Sequence, residues 1–166
     1  LGVDCGGPCT KLCSNQVNDL KVLWVRSFKV TDGVYDALAY VENQNYDAAL
    51  KKVVYKFSLY DDSNLLITER VGKTYITPNG KIPIFEGGIR TGERVPRRAF
   101  FEFAEISEWT KVEGKAISFS LGTRSINFTA SSTNSSRPTV SAAVVNDSVY
   151  SLGNIEVTVI LYDEND

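Results

Sequence analysis

Residues 51–64 read Lys-Lys-Val-Val-Tyr-Lys-Phe-Ser-Leu-Tyr-Asp-Asp-Ser-Asn, and apolar and polar positions alternate from Val54 to Tyr60 before the run stops in four polar residues. A period of two is the signature of a strand with one buried face, and an Asp/Ser/Asn cluster after it marks a turn. On this pattern Phe57 and Leu59 face a core, Tyr55 extends the same stripe, and Tyr60 points away. Asp61, Asp62 and Asn64 are expected to bond nearby backbone amides in the turn. The same ending returns as Ile160-Leu161-Tyr162-Asp163-Glu164-Asn165-Asp166. A strand that recurs with its turn implies a repeated β-domain.

The rest of the chain agrees. Strands are expected at Leu20–Val30, Tyr35–Glu42, Val53–Tyr60 and Ala99–Ile106, with one or two more within Leu65–Ile76. Ile82–Phe85 reads as a short edge strand, because Pro83 cannot donate to a ladder. Thr77-Pro78-Asn79-Gly80 is a turn signal. The single helix-leaning stretch is Tyr46 to Lys52, where Asp47-Ala48-Ala49-Leu50 could make one turn. Short strands broken by Gly, Pro, Asn and Asp predict an all-β fold built of antiparallel sandwiches.

The chain contains no His among its 166 residues, which excludes Ser-His-Asp and Cys-His catalysis and His-ligated zinc or haem. No catalytic residue and no cofactor are expected, and the chain is not read as an enzyme. A net charge of −2 supplies no attraction for nucleic acid. No apolar run approaches the ~20 residues of a membrane span. A start at Leu1-Gly2 without Met reads as processed or trimmed.

All three cysteines, Cys5, Cys9 and Cys13, lie within the first 13 residues. Gly6-Gly7-Pro8 argues against a helix there, so a tight disulfide-bonded turn is expected, and with it an oxidising compartment. Which two pair is open, and the third is either free or bonded to a partner elsewhere. Three cysteines without His make an incomplete zinc site. The stretch Val3-Asp4-Cys5-Gly6-Gly7-Pro8-Cys9 with Cys13 resembles the second half of a short repeat of secreted bacterial proteins, which implies location rather than activity.

Phe57-x-Leu59-Tyr60-Asp61, with Ile89-Arg90-Thr91-Gly92-Glu93 before a Phe-rich strand and Asn43 ending Tyr40-Val41-Glu42-Asn43, resembles the FxLYD type of immunoglobulin- or fibronectin-III-like domain. The resemblance implies an extracellular β-sandwich and carries no catalytic residues. It covers residues 18–109. Residues 110–166 look like a second copy, with Val144, Asn146, Leu152, Val157, Val159 and Leu161 matching Val41, Asn43, Leu50, Tyr55, Phe57 and Leu59. Strands are expected there at Ala116–Leu121 and Ser125–Ala130, joined by Gly122-Thr123-Arg124. This copy is expected to be completed either by further chain after Asp166 or by strands from another subunit. The expected organisation is therefore a cysteine-rich segment 1–17, an Ig-like sandwich 18–109 and a second, incomplete one 110–166.

Few residues could carry binding chemistry. Asp61, Asp62 and Asn64, with the matching turn at Asp163–Asp166, offer oxygen ligands to calcium, short of a full loop. Arg90, Arg94, Arg97 and Arg98 crowd one loop and could hold a charged glycan; Glu86, Glu93 and Glu102 interleave with them, which favours a solvated loop. Trp24 and Trp109 could form a sugar platform, but the apolar strand around Trp24 points to the core. Asn127, Asn134 and Asn146 begin glycosylation acceptor patterns. The reading that follows is a secreted or cell-surface structural module for spacing, display or assembly with other protein subunits, including as a filament subunit. The alternative is a carbohydrate- or protein-binding adhesion module.

Overall fold

The computed structural model describes residues 5, 9–112, 121–129, 139–146, 149, 151, 153 and 157–160. The chain divides into two compact units, 1–116 and 117–166. Among the described residues the regular elements are antiparallel strands and one 3₁₀ turn, Ser14–Gln16; none is an α-helix.

In the first unit, β1 (Lys21–Thr31), β2 (Val34–Asn43) and β5 (Gly80–Arg90) form one sheet in the order β1-β2-β5. β4 (Leu66–Ile76), β3 (Ala48–Tyr60) and β6 (Arg98–Ile106) form the other in the order β4-β3-β6, and β7 (Trp109–Lys111) continues along β3. The two sheets share one apolar core. Tyr35, Ala37, Ala39 and Val41 enter it from β2, Val53, Tyr55, Phe57 and Leu59 from β3, and Ile84 and Ile89 from β5. Each set is spaced by two within its strand except where a bulge intervenes, as one face of a sheet requires; Leu38, Val54 and Ser58, in the opposite phase, are buried as well. Phe57 is fully buried and meets Phe101 of β6 edge-on, with ring centroids 5.0 Å apart.

The strand opened by residues 51–64 is longer than its pattern. β3 begins at Ala48, so the helix-leaning stretch Asp47–Leu50 is strand from Ala48 onward. Local propensity loses to pairing there: Leu50 lies between Ile76 of β4 and Trp109 of β7. Lys51 and Lys52, both exposed, fall in a register irregularity between Leu50 and Val53. That irregularity resets the alternation, which is why the pattern is legible only after it. β5 is likewise eleven residues long rather than a short piece. Pro83 is tolerated because β5 is the last strand of its sheet.

Two polar devices tie the sheets together. Gly72 lies opposite Tyr55 in the register, and a Cβ built on Gly72 would approach the Tyr55 hydroxyl within 2.3 Å. With hydrogen there instead, the Tyr55 hydroxyl reaches Glu86 Oε1 of the other sheet at 2.9 Å, and Arg70 Nε meets Glu86 Oε2 at 3.3 Å. At the end of β2, Asn43 is buried and its amide donates to Ala48 O at 2.9 Å and Thr77 O at 2.8 Å. Its oxygen accepts from the backbone N–H of Asn45 at 3.0 Å and from the Asn45 side chain at 2.9 Å.

In the second unit, β8 (Leu121–Thr129) pairs with β9 (Thr139–Asn146). The expected Gly122-Thr123-Arg124 turn is strand instead, and the ladder absorbs it as a register irregularity between Thr123 and Ile126. Of the expected strand Ala116–Leu121 only Leu121 is among the described residues, and the turn at Asp163–Asp166 and the matches at Leu152 and Leu161 lie outside them. Val157 and Val159, expected to match the buried Tyr55 and Phe57, are instead 58% exposed and lie in no strand, so the correspondence of core positions does not hold there.

Candidate functional site

The FxLYD-like turn and the arginine loop, read separately from the sequence, are one structure. Asp61 Oδ1 accepts the backbone N–H groups of Ser63 at 3.0 Å and Leu65 at 2.9 Å, and Asp61 Oδ2 accepts from Arg94 Nη2. The other Arg94 nitrogen donates to Leu66 O at 2.9 Å. Asn64, in the left-handed region at φ 58°, accepts from Arg98 Nη1 at 2.7 Å. The backbone N–H of Arg97 reaches Tyr60 O at 2.8 Å. Asp62 Oδ1 accepts from the Ser63 hydroxyl at 3.3 Å.

This arrangement sets a fixed guanidinium against Asp61, where a cation would need to approach. Among the described residues no three His, Cys, Asp or Glu side chains gather as a metal-holding group. Arg94 and Arg98 are likewise directed onto the turn and not presented together with Arg97 to a ligand. The Arg94 guanidinium, with the backbone N–H of Leu65, holds the Asp61 carboxyl below the usual carboxylate range. A carboxylate depressed in the folded state stabilises at every pH above its unfolded value and loses that contribution as pH falls through the folded value. The Ser63 and Leu65 amides are therefore expected to stay protected from exchange at pH ~4, near the ordinary Asp value, and to open only at more acidic pH. In Arg94→Ala the opening moves up toward pH ~4. Amide exchange followed by NMR across pH 2–6 checks this, and an unchanged midpoint in the variant removes Arg94 from the turn's stability.

The outward face of the β4-β3-β6 sheet is a solvated charged surface. Lys56 Nζ lies between Glu69 at 3.1 Å and Glu102 at 2.8 Å. These pairs raise the Lys56 pKa, through Glu102 first, and lower that of Glu69. Tyr60 points to this face, as its position predicts, and meets Phe100 edge-on at 5.3 Å.

The outward face of β1-β2-β5 differs. Trp24 pairs with Tyr40, and Tyr40 with Pro83; the next row is Arg26, Leu38 and Phe85. The Trp24 and Tyr40 rings lie 5.4 Å apart, and the Arg26 guanidinium lies 5.5 Å from the Trp24 ring centre. The expectation that Trp24 sits in the core is overturned. Val22 pairs with Val41, but Trp24 pairs with Tyr40, so Leu23 is the extra residue of a bulge. One added residue reverses the side on which every later side chain emerges. Trp109, by contrast, packs against the core. The signal for the outer face lies in β2, where Val34-Tyr35-Asp36-Ala37-Leu38-Ala39-Tyr40-Val41 is apolar in both phases of the alternation. A groove beside the disulfide is lined by Leu12, Cys13, Ile106 and Trp109.

Cys5 and Cys13 form the disulfide, and Cys9 is a free, exposed thiol. The clipped segment is laced onto β7: Leu12 N–H donates to Trp109 O at 2.9 Å, Lys111 N–H to Thr10 O at 2.6 Å, and Lys11 pairs with Glu108 at 2.7 Å. Of the glycosylation candidates, Asn127 lies within the β8–β9 ladder opposite Ser141, Asn146 ends β9 and is exposed, and Asn134 lies outside the described residues. No family model, curated protein or solved structure matches the chain. No helix among the described residues is long and apolar enough to cross a membrane.

Proposed function

We propose that the chain is a structural module of a secreted or cell-surface bacterial protein, used for spacing, display or assembly with other protein subunits, including as a filament subunit. The observation that carries this reading is the N-terminal segment. A disulfide closes it, and hydrogen bonds to Trp109 and Lys111 hold it against the end of β7, so the chain enters its sheet through a covalent clip. A disulfide is compatible with an oxidising, extracellular setting. The order β1-β2-β5 facing β4-β3-β6 supports an immunoglobulin- or fibronectin-III-like sandwich for the first unit. The antiparallel pairing of β8 with β9 supports a β-structured second unit.

Two measurements test this. A membrane-impermeant maleimide is expected to label the exposed Cys9 on intact source cells; labelling only after lysis sinks the extracellular reading. Micrographs of the native material are expected to show regularly repeating subunits, and dispersed particles would remove the filament role. The clip itself has a measurable effect. Closing a loop of this length contributes about 2–3 kcal/mol. Cys13→Ser is therefore expected to release Thr10–Leu12 from β7 and admit tryptic cleavage after Lys11, which the oxidised parent resists.

A further inference from the structure

We infer that the free edge of β4 pairs antiparallel with the β4 of a second copy of the chain, about a two-fold axis at Val71; this names an interface for the assembly role proposed above and rests on that reading. β4 is an end strand of its sheet. From Thr68 to Thr74 it pairs with β3 without interruption, Leu59 against Thr68 through Val53 against Thr74. Alternate residues of this run turn their backbone N–H and C=O away from β3, and no strand among the described residues takes them up. Such a row selects an extended chain as its partner. The side chains select which one. Laid antiparallel on itself about Val71, β4 sets Glu69 against Lys73, Thr68 against Thr74 and Arg70 against Gly72. The two-fold axis repeats each pair, so opposite charges meet on both sides of the central Val71 contact. Directly opposite side chains come within about 4.5–5.5 Å of one another at Cβ, where opposite charges stabilise the pairing.

Exposure and charge agree with an uncovered edge. Val71 is 60% exposed, and Leu66 and Tyr75 of the same strand are exposed as well. Glu69, Val71 and Lys73 stand opposite Ser58, Lys56 and Val54 of β3, which puts all three on the outward face. Glu69 meets Lys56 at 3.1 Å and the Ser58 hydroxyl at 3.0 Å, both through Oε1, so Oε2 is left to face the second copy's Lys73. A lysine on an edge ordinarily discourages pairing; set against a glutamate of the second copy, it favours it. The other sheet ends do not match themselves. Paired about their midpoints, β1 sets Arg26 against Arg26 and β6 sets Glu102 against Glu102, and like charges directly opposite destabilise. β5 contains Pro83, which has no N–H to give. A two-fold contact closes on itself and makes a dimer, so a filament needs a further contact besides this one.

Sedimentation velocity of the full chain over a concentration series tests this, in physiological salt, where charges beyond a Debye length are screened. The parent is expected to show a concentration-dependent dimer. Val71→Lys, which sets two ammonium groups together at the axis, is expected to raise the dimer dissociation constant about tenfold or more, with the thermal unfolding of the monomer unchanged. Glu69→Lys and Lys73→Glu are each expected to weaken self-association similarly, since each sets like charges opposite one another twice. An equimolar mixture of these two variants is expected to restore the dimer, because in the mixed pair both contacts again join opposite charges. A dimer that Val71→Lys leaves intact, or a mixture no more dimeric than either variant alone, overturns the interface. A parent that stays monomeric at every concentration yet forms regular filaments in micrographs overturns it and leaves the assembly reading standing. A dimer without filaments upholds the interface and removes the filament role.

Discussion

Asn43→Asp is expected to destabilise the first unit by about 4 kcal/mol or more, since each buried group left unsatisfied costs about 1–3 kcal/mol. The Asn43 amide donates to Ala48 O and Thr77 O, and its oxygen accepts two hydrogen bonds from Asn45. A carboxylate there keeps the acceptor but sets a second oxygen against two carbonyl oxygens in a site only 1% exposed. Loss would spread, because Asn45 in turn exchanges hydrogen bonds with the backbone of Asn18 at 2.7 and 2.8 Å and accepts Asn79 N–H at 2.9 Å. One buried amide thus connects the approach to β1, the β2–β3 connection and the turn before β5. Asn43→Ala is expected to cost somewhat less, since it removes the bonds without adding repulsion. Urea denaturation of both variants checks the order; an Asp variant as stable as the parent would show that this corner does not depend on the amide.

Phe57→Ala is the second large effect, expected at about 3–5 kcal/mol. The ring is fully buried between Tyr55 and Phe101, with centroids at 5.8 and 5.0 Å, and its removal leaves a cavity among residues held by two sheets. Phe57→Val should cost clearly less because the branched side chain refills part of the space. Against the 5–15 kcal/mol typical of a folded domain, Phe57→Ala alone removes a large share of stability. Thermal unfolding of the two variants reads this directly, and a Val variant no better than Ala would mean that ring packing, not volume, holds the site.

Several features were legible in the residues. Alternation along β3 selected its core stripe, because a period of two places Tyr55, Phe57 and Leu59 on one side of a sheet. Turn chemistry at Asp61 was equally local: its carboxylate bonds Ser63 and Leu65, two and four residues on. The absence of His removed whole classes of catalysis before any fold was known. Other features were not local. Arg94 reaches Asp61 across 33 residues, so neither the cation-opposing turn nor the engagement of the arginine loop could be read from either segment alone. Asn43 read as a strand end, and its four hydrogen bonds exist only once Ala48, Thr77 and Asn45 converge on it.

The sequence by itself determined that this chain is β-structured, where most strands lie and that Tyr55, Phe57 and Leu59 of β3 face the core, since those follow from the geometry of an extended backbone. Only the tertiary structure decided which faces the remaining side chains take. A bulge adds one residue against a partner strand, and nothing in Val22-Leu23-Trp24 announces it; pairing with Val41 and Tyr40 does. That single added residue carries Trp24 from the core to the outer face, because register, not hydrophobicity, sets the side from which a strand residue emerges.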